Sequence, residues 1–337
     1  MIDLRRKRYL EPIAKKWLGW VCDYFFAVKM GKERPWLTSA TGSRNYFNTY
    51  ADKLYAQLEI AIRSYARGRA ALESRLLAMM RIYMMHFRDV VLLTPTQLDT
   101  LAIALKRRNR LPKGLMTKIK DVMVPYYEAL AKEHGHDFVR ELNIKTCPYC
   151  NRQFIHTFEG IRAERPELDH FYPKALFPVF CLSFYNLIPV CHSCNHVKLE
   201  SEIGVNPYAM AFNSRFVITD KNGNKLSASK IYKLTEKEIR LKLDGKSAEE
   251  DMNSQVLGIE NVYSKHTDYV KELIDKSMAY DAHARQALVR SFQGAGYHPR
   301  QVYDFVWGKH LIDAEYEDRP LSKLTKDVLD LLGIRRG

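Results

Sequence analysis

The 337-residue chain lacks any apolar run of about 18 residues, so no helix in it is expected to cross a bilayer. Its first residues, Met1-Ile2-Asp3-Leu4-Arg5-Arg6-Lys7-Arg8, lead into Tyr9, Glu11 and the pair Lys15-Lys16 rather than into an apolar stretch. That pattern argues against a secretory leader and sets the expectation of a cytoplasmic protein with no membrane partner. No internal repeat and no low-complexity stretch occur, and a balance of 46% hydrophobic to 27% charged residues excludes wholesale disorder. Cysteine is scarce at six residues, too few for a disulfide scaffold in a chain of this size. Acidic residues are scarce in one half only. Residues 1–140 carry 26 Lys/Arg against 13 Asp/Glu, a net of +13, whereas residues 141–337 carry 27 against 26. A basic half joined to a neutral half points to a polyanion such as nucleic acid; a solvated basic surface is the plainer alternative.

The first 140 residues read as helices. Leu10, Ile13, Trp17, Trp20, Val21, Tyr24 and Phe25 recur at helical spacing within 6–30. Further helices are expected over 45–66, 70–90, from Thr94-Pro95 to about Arg107, and over 115–134, where Pro125 should kink or split the element. The dense turn Lys106-Arg107-Arg108-Asn109-Arg110, with Arg5–Arg8 and Lys15-Lys16, is a candidate phosphate-binding face. Strand signals follow at Phe216–Thr219 and Ile239–Leu243, then a long helix over 261–292, one opened by His298-Pro299, and a last one after Pro320.

Four of the cysteines form two Cys-x-x-Cys pairs, Cys147/Cys150 and Cys191/Cys194, and Cys22 and Cys181 stand alone. In a reducing compartment two such pairs read as one four-thiolate zinc site. The 40 residues between them (151–190) exceed what a compact zinc ribbon needs, so something sizeable is inserted. The segment runs Cys147-Pro-Tyr-Cys150, then Leu168-Asp169-His170-Phe171-Tyr172-Pro173-Lys174, then Tyr185-Asn186-Leu187-Ile188-Pro189-Val190-Cys191-His-Ser-Cys194-Asn195-His196-Val197-Lys198.

In order and spacing these residues resemble the HNH nuclease family, the ββα-metal or treble-clef fold, in its four-cysteine form, here with Asn in the last position. The resemblance implies His170 as the general base for water and Asp169 and Asn195 as oxygen ligands of a catalytic Mg²⁺ or Mn²⁺. It implies that Asn186 buttresses the loop and orients the histidine, and that Lys198 touches the phosphate or the leaving oxygen. Cys147, Cys150, Cys191 and Cys194 would hold a structural Zn²⁺. The flavour of the motifs is similar to HNH effectors of bacterial antiphage systems, the Septu-type and retron-associated ones, which implies a defence role beside an ATPase partner.

The expected protein is therefore α+β. A basic helical domain (1–140) would precede a zinc-stapled ββα-metal HNH core (141–205) and a mixed strand and helix region (206–337). Its expected function is metal-dependent hydrolysis of DNA phosphodiester bonds, double-stranded DNA being the partner, with Lys106, Arg107, Arg108 and Arg110 contributing to binding. The alternatives are an autonomous restriction-type or mobile-element-type HNH nuclease, or a zinc module that binds nucleic acid without cutting it.

Overall fold

The structure, a computed structural model, describes residues 2–6, 9–26, 52–107, 112–158, 160, 163–309 and 311–334. It is α+β, mostly helical, with two two-stranded antiparallel sheets. Among the described residues no helix is long and apolar enough to cross a membrane.

The helical segment contains α1 (Leu10–Phe26), α2 (Asp52–Ala66), α3 (Ala70–Met85), α4 (Phe87–Val91), α5 (Pro95–Arg107) and α6 (Lys113–Leu142). The part of the expected first helix beyond Phe26 and the part of the second before Asp52 lie outside the described residues. The expected helix over 70–90 is broken at His86 into α3 and α4. At the start of α5, Thr94 donates from both its amide and its hydroxyl to Gln97 Oε1, tying down the first turn. Helix α6 is one 30-residue element with Pro125 inside it, so the proline does not split it. The bond Pro125 forgoes belongs to the Asp121 carbonyl, and both residues sit on the exposed face, where water can accept the loss.

Between the cysteine pairs, β1 (Glu167–His170) pairs with β2 (Leu187–Val190) in the register Glu167↔Val190, Leu168↔Pro189, Asp169↔Ile188 and His170↔Leu187. Helix α7 (His192–Lys198) follows directly, with Cys191 as its N-cap. The second sheet joins β3 (Arg215–Ile218) to β4 (Leu241–Asp244), with the short α8 (Ala228–Ile231) between them. Then come α9 (Ala248–Val256), α10 (Ile259–Tyr263), α11 (Thr267–Ala279), α12 (Ala282–Gly294), α13 (Pro299–Trp307) and α14 (Ser322–Leu331). The single long helix expected over 261–292 is therefore three helices. One break falls where Asp281 turns its carboxylate onto the amide of Ala284 (2.8 Å) and caps a new start.

Buried side chains form one continuous core from Ile2 through Trp17, Phe138, Phe184 and Tyr263 to Ile334. Trp17 of α1 meets Phe138 of α6 edge-on at 5.0 Å, and Phe138 meets Phe184, just ahead of β2, at 5.4 Å. Trp17 is fully buried, and its truncation to Ala would cost about 3–5 kcal/mol. The helical segment thus packs directly against the back of the first sheet.

Candidate functional site

The first knuckle precedes β1 and the second caps α7, so the β1–β2 hairpin brings the two cysteine pairs together. The Sγ atoms of Cys147, Cys150, Cys191 and Cys194 all lie within 4.8 Å of one another and all four residues are buried. A tetrahedral zinc with Zn–S bonds of 2.3 Å sets sulfurs about 3.8 Å apart. Cys150 and Cys191 stand 3.9 Å apart, and the donor set fits such a cation. Backbone amides support the sulfurs: Cys191 N donates to Cys147 Sγ and Arg152 N to Cys150 Sγ, both at 3.4 Å. Burial pushes the Cys147 thiol up, while hydrogen bonds from Cys147, Cys150 and Cys194 pull Cys191 down. Among the described residues no other group of three or more His, Cys, Asp or Glu side chains is close enough to hold a metal.

Each knuckle also reaches β1. Glu167 and Asp169, two residues apart, belong to the same face of the strand. Tyr149, between the first pair of cysteines, donates its hydroxyl to Asp169 Oδ2 at 2.6 Å. His192, between the second pair, sits 2.7 Å from Glu167 Oε1. Asp169 is 4% exposed, and burial raises its pKa even though Lys198 and Tyr149 favour the carboxylate. Lys198 is fully buried and donates to Asp169 Oδ1 (3.1 Å) and to the His170 carbonyl (2.8 Å). Its ammonium therefore lies behind the strand, paired with Asp169, and not at the mouth of the site where contact with a phosphate was expected.

His170 ends β1. Its Nε2 is 3.0 Å from the carbonyl oxygen of Cys181, and its ring stands edge-on to Tyr127 of α6 at 4.4 Å. A carbonyl only accepts, so Nε2 carries the proton and Nδ1 is left as the basic nitrogen. Nδ1 has no protein partner among the described residues. Burial, assisted by the positive charge of Lys174, lowers the His170 pKa to about 3. The near-neutral titration expected from the residue type is thus replaced by a ring held neutral. Cys181 is buried and its thiol is pushed up to about 12 by burial. It behaves as a small hydrophobe, yet its carbonyl is what orients His170.

The loop that carries this carbonyl is fixed from both sides. Asn186, fully buried, accepts from Tyr172 N (2.7 Å) and donates to the carbonyls of Tyr172 (3.2 Å) and Phe180 (3.1 Å). Those bonds make it a clamp on the loop. From outside, Trp17 Nε1 donates to Leu182 O, Tyr83 Oη to Val179 O, Ser183 Oγ to Val90 O and Tyr127 Oη to Leu168 O. The C-terminal region grips the first knuckle in the same way. Tyr263 donates to the Cys150 carbonyl at 2.5 Å, and Asn151 accepts from the Lys323 amide and donates to the Tyr316 and Arg319 carbonyls. Asn151 holds a positive φ of 51°, which Asn tolerates better than most residues.

Asn195 is the fourth residue of α7, which starts at His192. Its Nδ2 donates to Glu167 Oε2, while its amide oxygen accepts no hydrogen bond among the described residues. Glu167, Asp169, His170, Asn195, His192 and His196 line one open cleft of about 430 Å³, with Lys120 and Lys174 on its other wall. The carboxylate of Asp169 has lone pairs beyond the two taken by Tyr149 and Lys198. With the free amide oxygen of Asn195, this donor set fits a hard cation that keeps several waters.

The proposed phosphate-binding turn is described only in part. Lys106 pairs with Glu202 and lies 5.6 Å from the Phe177 ring centre. The side chain of Arg107 and all of Arg108 and Arg110 lie outside the described residues. Arg5 forks onto Asp3 (2.9 and 2.8 Å), Lys15 pairs with Glu11 and Lys16 with Glu141, and Lys7 and Arg8 are outside the described residues. Sequence reasoning missed Tyr149, Glu167 and Tyr127. For the first two a signal existed, since each lies in or beside a quoted motif and carries a polar end; Tyr127 sits on a helix with no such mark. Comparison with protein-family models, with curated proteins and with solved structures finds no match for this chain.

Proposed function

We propose that this chain is a metal-dependent endonuclease of the HNH type that hydrolyses DNA phosphodiester bonds, acting as an effector of bacterial antiphage defence beside an ATPase partner. The observation that carries the nuclease reading is His170: a neutral imidazole whose Nε2–H is tied to the Cys181 carbonyl while Nδ1 is left as the base, on the wall of an open cleft shared with Asp169 and Asn195. In this reading the four cysteines hold Zn²⁺ as a closed structural site, because four thiolates leave a tetrahedral ion no open position. Asp169 and Asn195 would hold Mg²⁺ or Mn²⁺, a hard cation that supplies positive charge to a scissile phosphate when bound.

His170 Nδ1 takes a proton from water as the water oxygen forms its bond to phosphorus. The bond from phosphorus to the 3′ oxygen breaks, and that oxygen leaves with a proton drawn from solvent. The hydrogen bond from Nε2 to Cys181 keeps the ring from turning and stabilises the imidazolium that forms. Asn186 holds the loop that presents that carbonyl. Lys198 offsets the charge of Asp169 from behind. The defence role and the ATPase are supported by the motif resemblance alone.

Incubation of the purified chain with supercoiled plasmid and Mg²⁺ tests the reading. Cleavage should vanish with EDTA and fall by about 10²–10⁴-fold in His170→Gln, which can still donate to the Cys181 carbonyl but has no base. Wild-type rates in that variant would overturn the site. Co-expression with the product of the adjacent gene, followed by pull-down and cleavage with and without ATP, tests the partner. Cleavage by the chain alone that ignores ATP, with nothing co-purifying, would favour an autonomous nuclease.

A further inference from the structure

The cleft at His170 does not end at its own wall. At Ala175 it meets a second cavity of about 570 Å³, lined by Lys106, Lys113, Thr117, Leu176 and Phe177. One helix face runs along both: Lys113 and Thr117 border the second cavity and Lys120 borders the first, at spacings of four and three residues on α6. Seven residues of helix rise about 10 Å, so this face presents two ammonium groups with a hydroxyl between them over roughly that length.

The charges on this face are unusual for their position. The first eight residues of α6, Lys113 to Lys120, include three lysines and no acid, at the end of the helix where the macrodipole is already positive. Lys113 and Lys120 have no anionic partner among the described residues, whereas lysines of the C-terminal half such as Lys225, Lys242 and Lys271 are paired with Asp244, Glu260 and Asp275. On the facing walls, Glu202 pairs with Lys106, and Glu167 is hydrogen-bonded by His192 and Asn195; Glu200 alone stands without a partner among the described residues. The cleft is thus divided into an oxygen-donor floor on β1 and α7 and a cationic wall on α6.

Resting on the nuclease reading, we propose that this wall, Lys113, Thr117 and Lys120, carries the phosphate backbone of the cleaved DNA strand away from His170. About 10 Å of wall exceeds the separation of neighbouring phosphates on one strand, so the two lysines meet separate phosphates and the Thr117 hydroxyl can donate between them. The contacts are to backbone and carry no base preference.

Anisotropy of a labelled duplex DNA of mixed sequence, titrated in EDTA over a range of salt, tests this with the full chain. Lys113→Gln with Lys120→Gln should make the slope of log affinity against log salt shallower by about 1.8, at 0.9 per phosphate. The control pair Lys225→Gln with Lys242→Gln, on and beside the second sheet, should keep the wild-type slope. An unchanged slope in the first pair, an equal loss in the control, or binding of duplex RNA but not DNA would overturn the wall. Plasmid cleavage measured in parallel separates the two readings. Cleavage that depends on His170 alongside an unchanged slope removes the wall and leaves the nuclease; absence of such cleavage in wild type removes both.

Discussion

Each two-stranded sheet leans on a buried aspartate–lysine pair, and the two pairs differ in what completes them. Asp327 of α14 pairs with Lys323 one turn away at 2.9 Å, and the same carboxylate accepts the Phe216 amide of β3. Asp169 of β1 pairs with Lys198 of α7, and its other oxygen accepts the Tyr149 hydroxyl from the zinc-type knuckle. Burial raises the pKa of both aspartates from its ordinary value, so both pairs carry a desolvation cost. The first is closed by a backbone N–H and fixes a strand to a helix. The second is closed by side chains from three separate elements and lies on an open cleft beside His170. The same ion pair is a staple in one place and a poised acceptor in the other, and the surroundings decide which.

The largest effect tests what the pairs share. The first knuckle touches both, through Tyr149 to Asp169 and through Asn151 to the Lys323 amide. Cys194→Ser should therefore loosen both sheets, lowering Tm by about 10 °C or more, roughly 3–5 kcal/mol for a chain of this size. Elemental analysis should fall from about one zinc per chain to none. A metal-free wild-type chain with an unchanged melt would show that neither pair depends on the knuckles.

The next effect separates the pairs. Lys323→Met and Lys198→Met each strand a buried carboxylate, at a cost of about 3–5 kcal/mol. Mn²⁺ or Mg²⁺ should restore much of the melt of Lys198→Met, because a cation can replace the lost ammonium at a cleft carboxylate. It should do nothing for Lys323→Met. Equal rescue of both, or of neither, would erase the difference between the two pairs. Calorimetric melts with and without the cation are sufficient.

A smaller effect concerns pH. His170 is held neutral, with its pKa lowered to about 3 against an ordinary 6.5. As pH falls from 6.5 toward 3, the unfolded chain takes up a proton that the folded chain refuses, so this contribution to stability is present above 6.5 and is lost through that window. The cleavage rate should show the opposite insensitivity. An ordinary histidine base would lose about 30-fold between pH 7 and pH 5. Here the base contributes no such fall, so rates corrected for metal binding should stay within about threefold. A limb near 6.5 would mean that His170 is exposed when substrate is bound.

The smallest effect is Tyr149→Phe, which removes one hydrogen bond to Asp169 at a cost of about 1–2 kcal/mol. Weaker Mn²⁺ affinity with zinc content unchanged would show that the knuckle sets the carboxylate; an unchanged affinity would assign the tyrosine to packing.

Much of the fold was legible because periodicity and caps are local. The strand expected over Phe216–Thr219, the Thr94-Pro95 start and the His298-Pro299 start appear where the residues place them, and the strand expected over Ile239–Leu243 starts two residues later, at Leu241. The continuity of α6 through Pro125 was not legible, since it depends on which face meets water. The three helices in place of one over 261–292 turn on a single cap at Asp281 that periodicity overrides on paper.

The paired cysteines alone announced that the two knuckles would meet, and the resemblance to the HNH motif implied that Asp169, His170 and Asn195 share a neighbourhood. Only the tertiary structure decided the state of those groups. The pairing of Lys198 with Asp169, the Tyr127 ring against His170 and the lysine face of α6 on the cleft join segments distant in sequence, and the Cys181 carbonyl reaches His170 Nε2 only because the intervening loop folds back. Burial and hydrogen bonding set charge state and direction, and both are properties of the packed neighbourhood rather than of the residue.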